Sequence, residues 1–113
     1  MQIAETRRDG IIAVVPAGRI DTTTAPTLEG HLTALLAGGA RRVVVDFSRV
    51  EYISSAGLRV MLIVARRMKE SNGRLALCAF PEAVRQVFQL AGFLPLFTVC
   101  ESQDIAMGQL AGS

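Results

Sequence analysis

Apolar and polar positions alternate along this chain in blocks whose period changes, and the changes predict its elements. Residues 2–8 and 11–18 read as two strands joined at Asp9-Gly10, a hairpin signal between strand-like runs. The second run, Ile11-Ile12-Ala13-Val14-Val15, is apolar throughout, as in a strand buried on both faces. Pro16 would interrupt a central ladder, so the end of this run is expected at an edge or a bulge. Gly18-Arg19-Ile20-Asp21 is expected to end the sheet and turn the chain. Thr22-Thr23-Thr24-Ala25-Pro26 opens a helix, with a threonine as its cap and Pro26 in the first turn. Leu28, Leu32, Leu35 and Leu36 form one face of that helix, which stops at Gly38-Gly39.

Arg41 to Phe47 reads as the next strand, its three consecutive valines placing it at the centre of a sheet and Asp46 near its C-terminal end. From Ala56 to about Ser71 the pattern is helical, closed by Asn72-Gly73. Leu58, Met61, Leu62, Val64, Ala65 and Met68 make its buried stripe, and Arg59, Arg66, Arg67 and Glu70 the outer face. Ile63 falls in the middle of that charged face and Val60 borders it. Arg74 to Phe80 is a further strand, Pro81-Glu82 opens a third helix ending at Gly92, and Leu96 to Val99 is a last strand. Ser102 caps a final short helix through Leu110. Strands alternating with helices imply crossover connections and an α/β architecture, and the initial hairpin makes the sheet mixed.

Composition narrows the functional classes. A chain of 113 residues is one domain's worth, and at 50% hydrophobic it can build a core without staples. No run approaches the ~18 apolar residues of a membrane span, and Met1 to Arg8 lacks an apolar signal-peptide core, so a cytoplasmic protein without membrane insertion is expected. The net charge is only +2, with basic residues in scattered pairs (Arg7-Arg8, Arg41-Arg42, Arg66-Arg67), one Tyr and no Trp. Nucleic-acid binding is not expected from that pattern. Cys78 and Cys100 lie in predicted strands without CxxC spacing and read as two buried, reduced thiols.

Catalytic motifs are missing. Asp46-Phe47-Ser48 at a strand end invites comparison with phosphatase sites, but no phosphate-cradling GxxxxGK[ST] or GxGxxG is present. His31, the single histidine, lies on a helix with no orienting acid evident and no second ligand at metal spacing. Ser55-Ala56-Gly57 is not a G-x-S-x-G elbow, since Ile53 stands where the first Gly belongs. Asp21 and Asp46 both fall at strand ends, where acids commonly cap turns. The reading is a non-enzymatic protein with no catalytic residues, cofactor or metal.

What remains is Tyr52-Ile53-Ser54-Ser55-Ala56-Gly57-Leu58-Arg59, at the start of the central helix. One serine suffices as an N-cap. Gly57 is roughly 1 kcal/mol worse than Ala in a helix, so its presence implies a close approach to the backbone or tight packing on the sheet. A phosphate on a serine here would add about −1.5 to −2 charges, which a helix N-terminus favours. Asp21 and Asp46, if near, would oppose it. Ile63 among arginines reads as the centre of a partner contact.

These residues resemble the STAS domain of bacterial anti-sigma factor antagonists, and the resemblance covers nearly the whole chain, 1–113. It runs through Gly18-Arg19-Ile20-Asp21, Thr24-Ala25-Pro26, Val43-Val44-Val45-Asp46-Phe47-Ser48, the Tyr52 to Leu58 segment, Asn72-Gly73, Val87-Phe88 and Ala91-Gly92-Phe93. The resemblance implies a mixed, mostly parallel sheet with helices packed on one side. It also implies a partner switch: the unphosphorylated form binds a GHKL-type anti-sigma factor serine kinase and releases its client, phosphorylation abolishes binding, and a metal-dependent serine phosphatase resets the cycle. The phosphoacceptor maps to Ser55, with Ser54 as runner-up, and Asp21, Asp46 and Gly57 are expected around it. Thr24, Ser54, Ala56, Leu58, Arg59, Ile63 and Arg66 are the expected partner contacts. The alternative is an unphosphorylated STAS subunit of a membrane transport complex, with Ser55 only a cap; a small-ligand sensor is a third reading.

Overall fold

A computed structural model describes residues 1–112, so Ser113, the last residue of the expected domain, lies outside the described residues. Six strands and four helices follow in the order β1 (Gln2–Arg8), β2 (Ile11–Ile20), α1 (Ala25–Ala37), β3 (Arg42–Asp46), β4 (Val50–Ile53), α2 (Ser55–Glu70), β5 (Arg74–Cys78), α3 (Glu82–Leu90), β6 (Thr98–Cys100) and α4 (Gln103–Ala111), with a 3-10 turn at Leu94–Leu96. The sheet order is β1-β2-β3-β5-β6, with β4 paired to β2. Only β1 is antiparallel to its neighbour; the other pairings are parallel.

Strand β2 organises this arrangement. It pairs with β3 through Ile12, Ala13 and Val14, then with β4 through Gly18, Arg19 and Ile20. Pro16 falls in the interval between the two ladders, where a missing N–H leaves no bond unmade on that side. A register shift follows at Gly18/Arg19, and Gly18 takes φ +100° there, a conformation that favours glycine. The strand therefore continues to Ile20 instead of turning at Gly18. Strand β4, which the apolar pattern did not announce, exists to pair with this extension.

Alternation along the strands divides the core between two faces. Ile12, Val14, Val43, Val45 and Leu77 pack toward α1, α2 and α3, together with Leu28, Leu32, Met61, Val64, Val84 and Phe88. Ile11, Ala13, Val44, Ala76, Cys78 and Cys100 face the other way, onto Ala106, Met107 and Leu110 of α4. Three helices thus share one side as expected, and α4 covers the opposite one. Ser102 does cap α4, its hydroxyl accepting from the Ile105 N–H at 3.2 Å. Phe47, Phe80, Phe88 and Phe97 join α3 to the sheet through edge-on and stacked contacts with centroids 4.7–5.8 Å apart. Both cysteines are free and buried, and burial, with Asp46 and Cys100 nearby, pushes the Cys78 thiol up to about 12. That keeps it protonated and unreactive.

Candidate functional site

The parallel pairing of β2 with β4 delivers both following helices to one place. Arg19 is in register with Tyr52 and Ile20 with Ile53, so the chain leaves the two strands side by side. The Ser54 N–H donates to the Ile20 carbonyl at 2.8 Å, tying the start of α2 to the end of β2. From there Asp21 leads into α1.

Asp21 builds that entry turn. One of its oxygens accepts the Thr23 hydroxyl at 2.6 Å and the N–H groups of Thr23 and Thr24 at 3.0 and 3.2 Å. These bonds favour the ionised form, the Thr23 hydroxyl most, and hold the Asp21 carboxyl below its ordinary range. Thr24 is the cap residue by position, yet its hydroxyl does not bond the helix; it accepts from the Asp21 N–H and donates to the Arg19 carbonyl. The carboxylate thus holds the turn that leads into α1, no side chain caps the helix itself, and the Thr24 hydroxyl is spent on the backbone of Arg19 and Asp21.

On α2, Ser54 occupies the N-cap position with no side-chain cap bond, and its hydroxyl oxygen is buried without a hydrogen-bond partner. Ser55 is exposed. No acidic residue stands in the first turn of α2, while Arg67 and Lys69 complement its last turn, so the positive end of the helix dipole is uncompensated. A Cβ on Gly57 would lie 2.6 Å from Ile53 Cγ1 and 2.7 Å from Ile20 Cγ2. Tight packing on the sheet explains that glycine, and it sets how closely α2 sits over β2 and β4.

Ser55 opens into a groove of about 590 Å³ between α1 and α2, lined on the α2 side by Ala56, Arg59, Val60 and Ile63. Thr22, Ala25, Pro26 and Glu29 line the other side. Ala56, Arg59 and Ile63 therefore line one groove with Ser55, and Ile63 is half-buried in it instead of standing on an open charged face. Val60 is buried. Arg66 is exposed further along α2, outside the groove lining. Leu58, expected at the contact, is 6% exposed and belongs to the core. Asp46 also departs from expectation: it is 7% exposed, accepts from the Ser48 N–H and takes a 2.8 Å bond from the Gln103 side chain of α4. It sits on the α4 face because it follows Val44 in the alternation of β3. Sequence reasoning missed Thr22, Pro26 and Glu29. Residues 22–26 were legible as a helix start, but only the β2–β4 pairing shows that this start faces Ser55. His31 of α1 is half-buried and meets Glu5 of β1, an acid that was not evident from the sequence.

Among the described residues no group of three or more metal-ligating side chains gathers, and no helix is long and apolar enough to cross a membrane. The site offers an exposed hydroxyl, a helix N-terminus and a half-apolar groove, which together suit binding.

The STAS domain family model matches residues 2–106. Bordetella bronchiseptica BtrV, named as a candidate anti-sigma factor antagonist, is 41% identical over 106 residues, covering 94% of this chain and 91% of its own. The anti-sigma-B factor antagonist of Staphylococcus aureus is 25% identical over 105 residues, covering 93% and 97%. Among solved structures, a candidate anti-sigma factor antagonist from Thermotoga maritima superimposes with a TM-score of 0.91 at 20% identity, over 96% of this chain and 93% of that one. The match of the family model over most of the chain, with the 41% identity to BtrV and the shared fold, shows that the chain belongs to the STAS domain family, a family of non-enzymatic binding proteins.

Proposed function

We propose that this protein is an anti-sigma factor antagonist whose partner docks in the α1–α2 groove and whose docking is controlled by phosphorylation of Ser55. The observation that carries the reading is the contrast between the two serines: Ser55 is exposed at the groove, whereas the Ser54 hydroxyl is buried. A kinase reaches the first and not the second. The names of the relatives from Bordetella and Staphylococcus supply the class of partner, an anti-sigma factor. We take it to be a GHKL-type serine kinase, so that ATP, Mg²⁺ and the catalytic base all come from the partner, and a metal-dependent serine phosphatase reverses the modification.

A phosphate on Ser55 meets the uncompensated N-terminus of α2, which stabilises it. Asp21, ionised and one residue from Thr22 in the groove lining, adds to the local negative potential. The groove thus changes from nearly neutral to anionic beside Arg59 and Ile63, and a partner matched to the first state is repelled by the second. Incubation with the cognate kinase and ATP, followed by mass-spectrometric mapping, tests the assignment. We expect one phosphate on wild type, located at Ser55, and none on Ser55→Ala. Equal phosphorylation of both proteins contradicts it.

A further inference from the structure

Basic residues that look scattered in the sequence, with a member of each pair among them, converge on the end of the molecule opposite the Ser55 cleft. Parallel strands β2, β3, β5 and β6 all begin there, β1 finishes there at Arg8, and α2 finishes there with Arg67 and Lys69. Arg42 and Arg74 stand directly opposite one another in the β3–β5 register, and the Arg74 N–H donates to the Arg41 carbonyl at 2.7 Å. Arg8 pairs with Ile11, the residue before the Ile12–Val43 pair, so it continues the same row. These six are half of the chain's 12 basic residues, against Asp9 and Glu70 from its 10 acidic ones. Like charges held directly opposite one another repel, and among the described residues no carboxylate pairs with Arg8, Arg67, Lys69 or Arg74.

An apolar turn sits beside this row. From Leu90 to Leu96 the chain carries no polar side chain, yet it is a surface connection in which Leu90 is 89% and Leu96 58% exposed. Leu96 shares an open groove with Lys69 and Gly73 of the α2–β5 turn, so this leucine and one cation of the row belong to one face. We propose that this end docks on an anionic lipid surface, with the basic row over the headgroups and Leu90 and Leu96 dipping between them. Charge of one sign combined with protruding aliphatic side chains is what such a surface selects. A protein interface ordinarily adds hydrogen bonds, about one per 100–200 Å², and this turn has no polar side chain to make them. Single-stranded nucleic acid needs stacking platforms, but Tyr52, the only tyrosine, lies under Arg19 on the β2–β4 ladder. Docked in this way, the chain presents the Ser55 groove away from the membrane.

Flotation of the full chain with vesicles of phosphatidylcholine, alone or with about 30 mol% phosphatidylglycerol to make the surface anionic, tests the proposal. Binding is expected only to the anionic vesicles, and it should weaken in high salt. Replacing Arg67, Lys69 and Arg74 together by Gln should reduce partitioning on the order of a hundredfold, at roughly fivefold per charge. Leu90→Ser combined with Leu96→Ser should reduce it at constant charge, and Arg49→Gln, outside the row, should leave it unchanged. Thermal unfolding of each variant establishes that it is folded. Equal binding to both vesicle types, binding to neither, or undiminished binding by the triple variant overturns the proposal. So does retention on polyglutamate beads without vesicle binding, which assigns the surface to an acidic protein.

Discussion

Ser54 and Gly57 show how little of a site's chemistry follows from residue type alone. A serine at an N-cap ordinarily contributes about 0.5–2 kcal/mol through its hydroxyl, and Ser54 holds that position. Its oxygen is instead buried and unpartnered, a condition that costs about 1–3 kcal/mol. Ser54→Ala should therefore leave stability unchanged or raise it by up to about 1 kcal/mol, measured as the urea midpoint. A drop of the size of a lost cap contradicts the assignment. Gly57→Ala should do the reverse. Alanine's better helix propensity gains at most about 1 kcal/mol, while overpacking against Ile20 and Ile53 costs about 1–3 kcal/mol. We expect a lower midpoint with an unchanged slope; an unchanged or higher midpoint would show that α2 lifts off the sheet freely. The sequence showed that Gly57 needed a reason, and the two isoleucines that supply it come from separate strands.

At the scale of elements, the entry turn of α1 is held by a carboxylate, and its contribution depends on pH. The folded-state pKa of Asp21 is depressed from its ordinary 3.8, so its stabilising effect is present above that value and is lost as pH falls through the lower one. The difference in melting temperature between wild type and Asp21→Asn should accordingly be constant near neutrality and shrink on acidification below about pH 4. A difference independent of pH down to pH 2 or so contradicts a turn held by an ionised Asp21. Most elements were legible because their apolar period is strong: the hairpin, the leucine face of α1, the valine run of β3 and the stripe of α2. Strand β4 was not, since of Val50–Ile53 only Val50 and Ile53 are buried, and four residues are too few to show a period. The extension of β2 to Ile20 was hidden for the same reason, as Gly18 and Arg19 read as a turn until their partner strand is known.

For the molecule as a whole, the topology separates two ends. The C-terminal ends of β2 and β4 assemble the Ser55 groove, while the N-terminal ends of β3 and β5 gather arginines. The family resemblance pointed to Ser55 as the proposed switch, but the faces of the sheet had to be seen before Asp46 and Leu58 could be set apart from it. Both lie where strand and helix alternation bury them. The central claim is that one phosphate at Ser55 decides whether a partner docks. Its most direct test is the affinity of the cognate anti-sigma factor kinase for wild type, the Ser55-phosphorylated form, Ser55→Ala and Ser55→Asp, measured by titration calorimetry. The account predicts tight binding by wild type and Ser55→Ala, at least a tenfold loss for Ser55→Asp, equivalent to about 1.4 kcal/mol, and a larger loss for the phospho-form. Equal affinity of the phosphorylated and unphosphorylated proteins would contradict it.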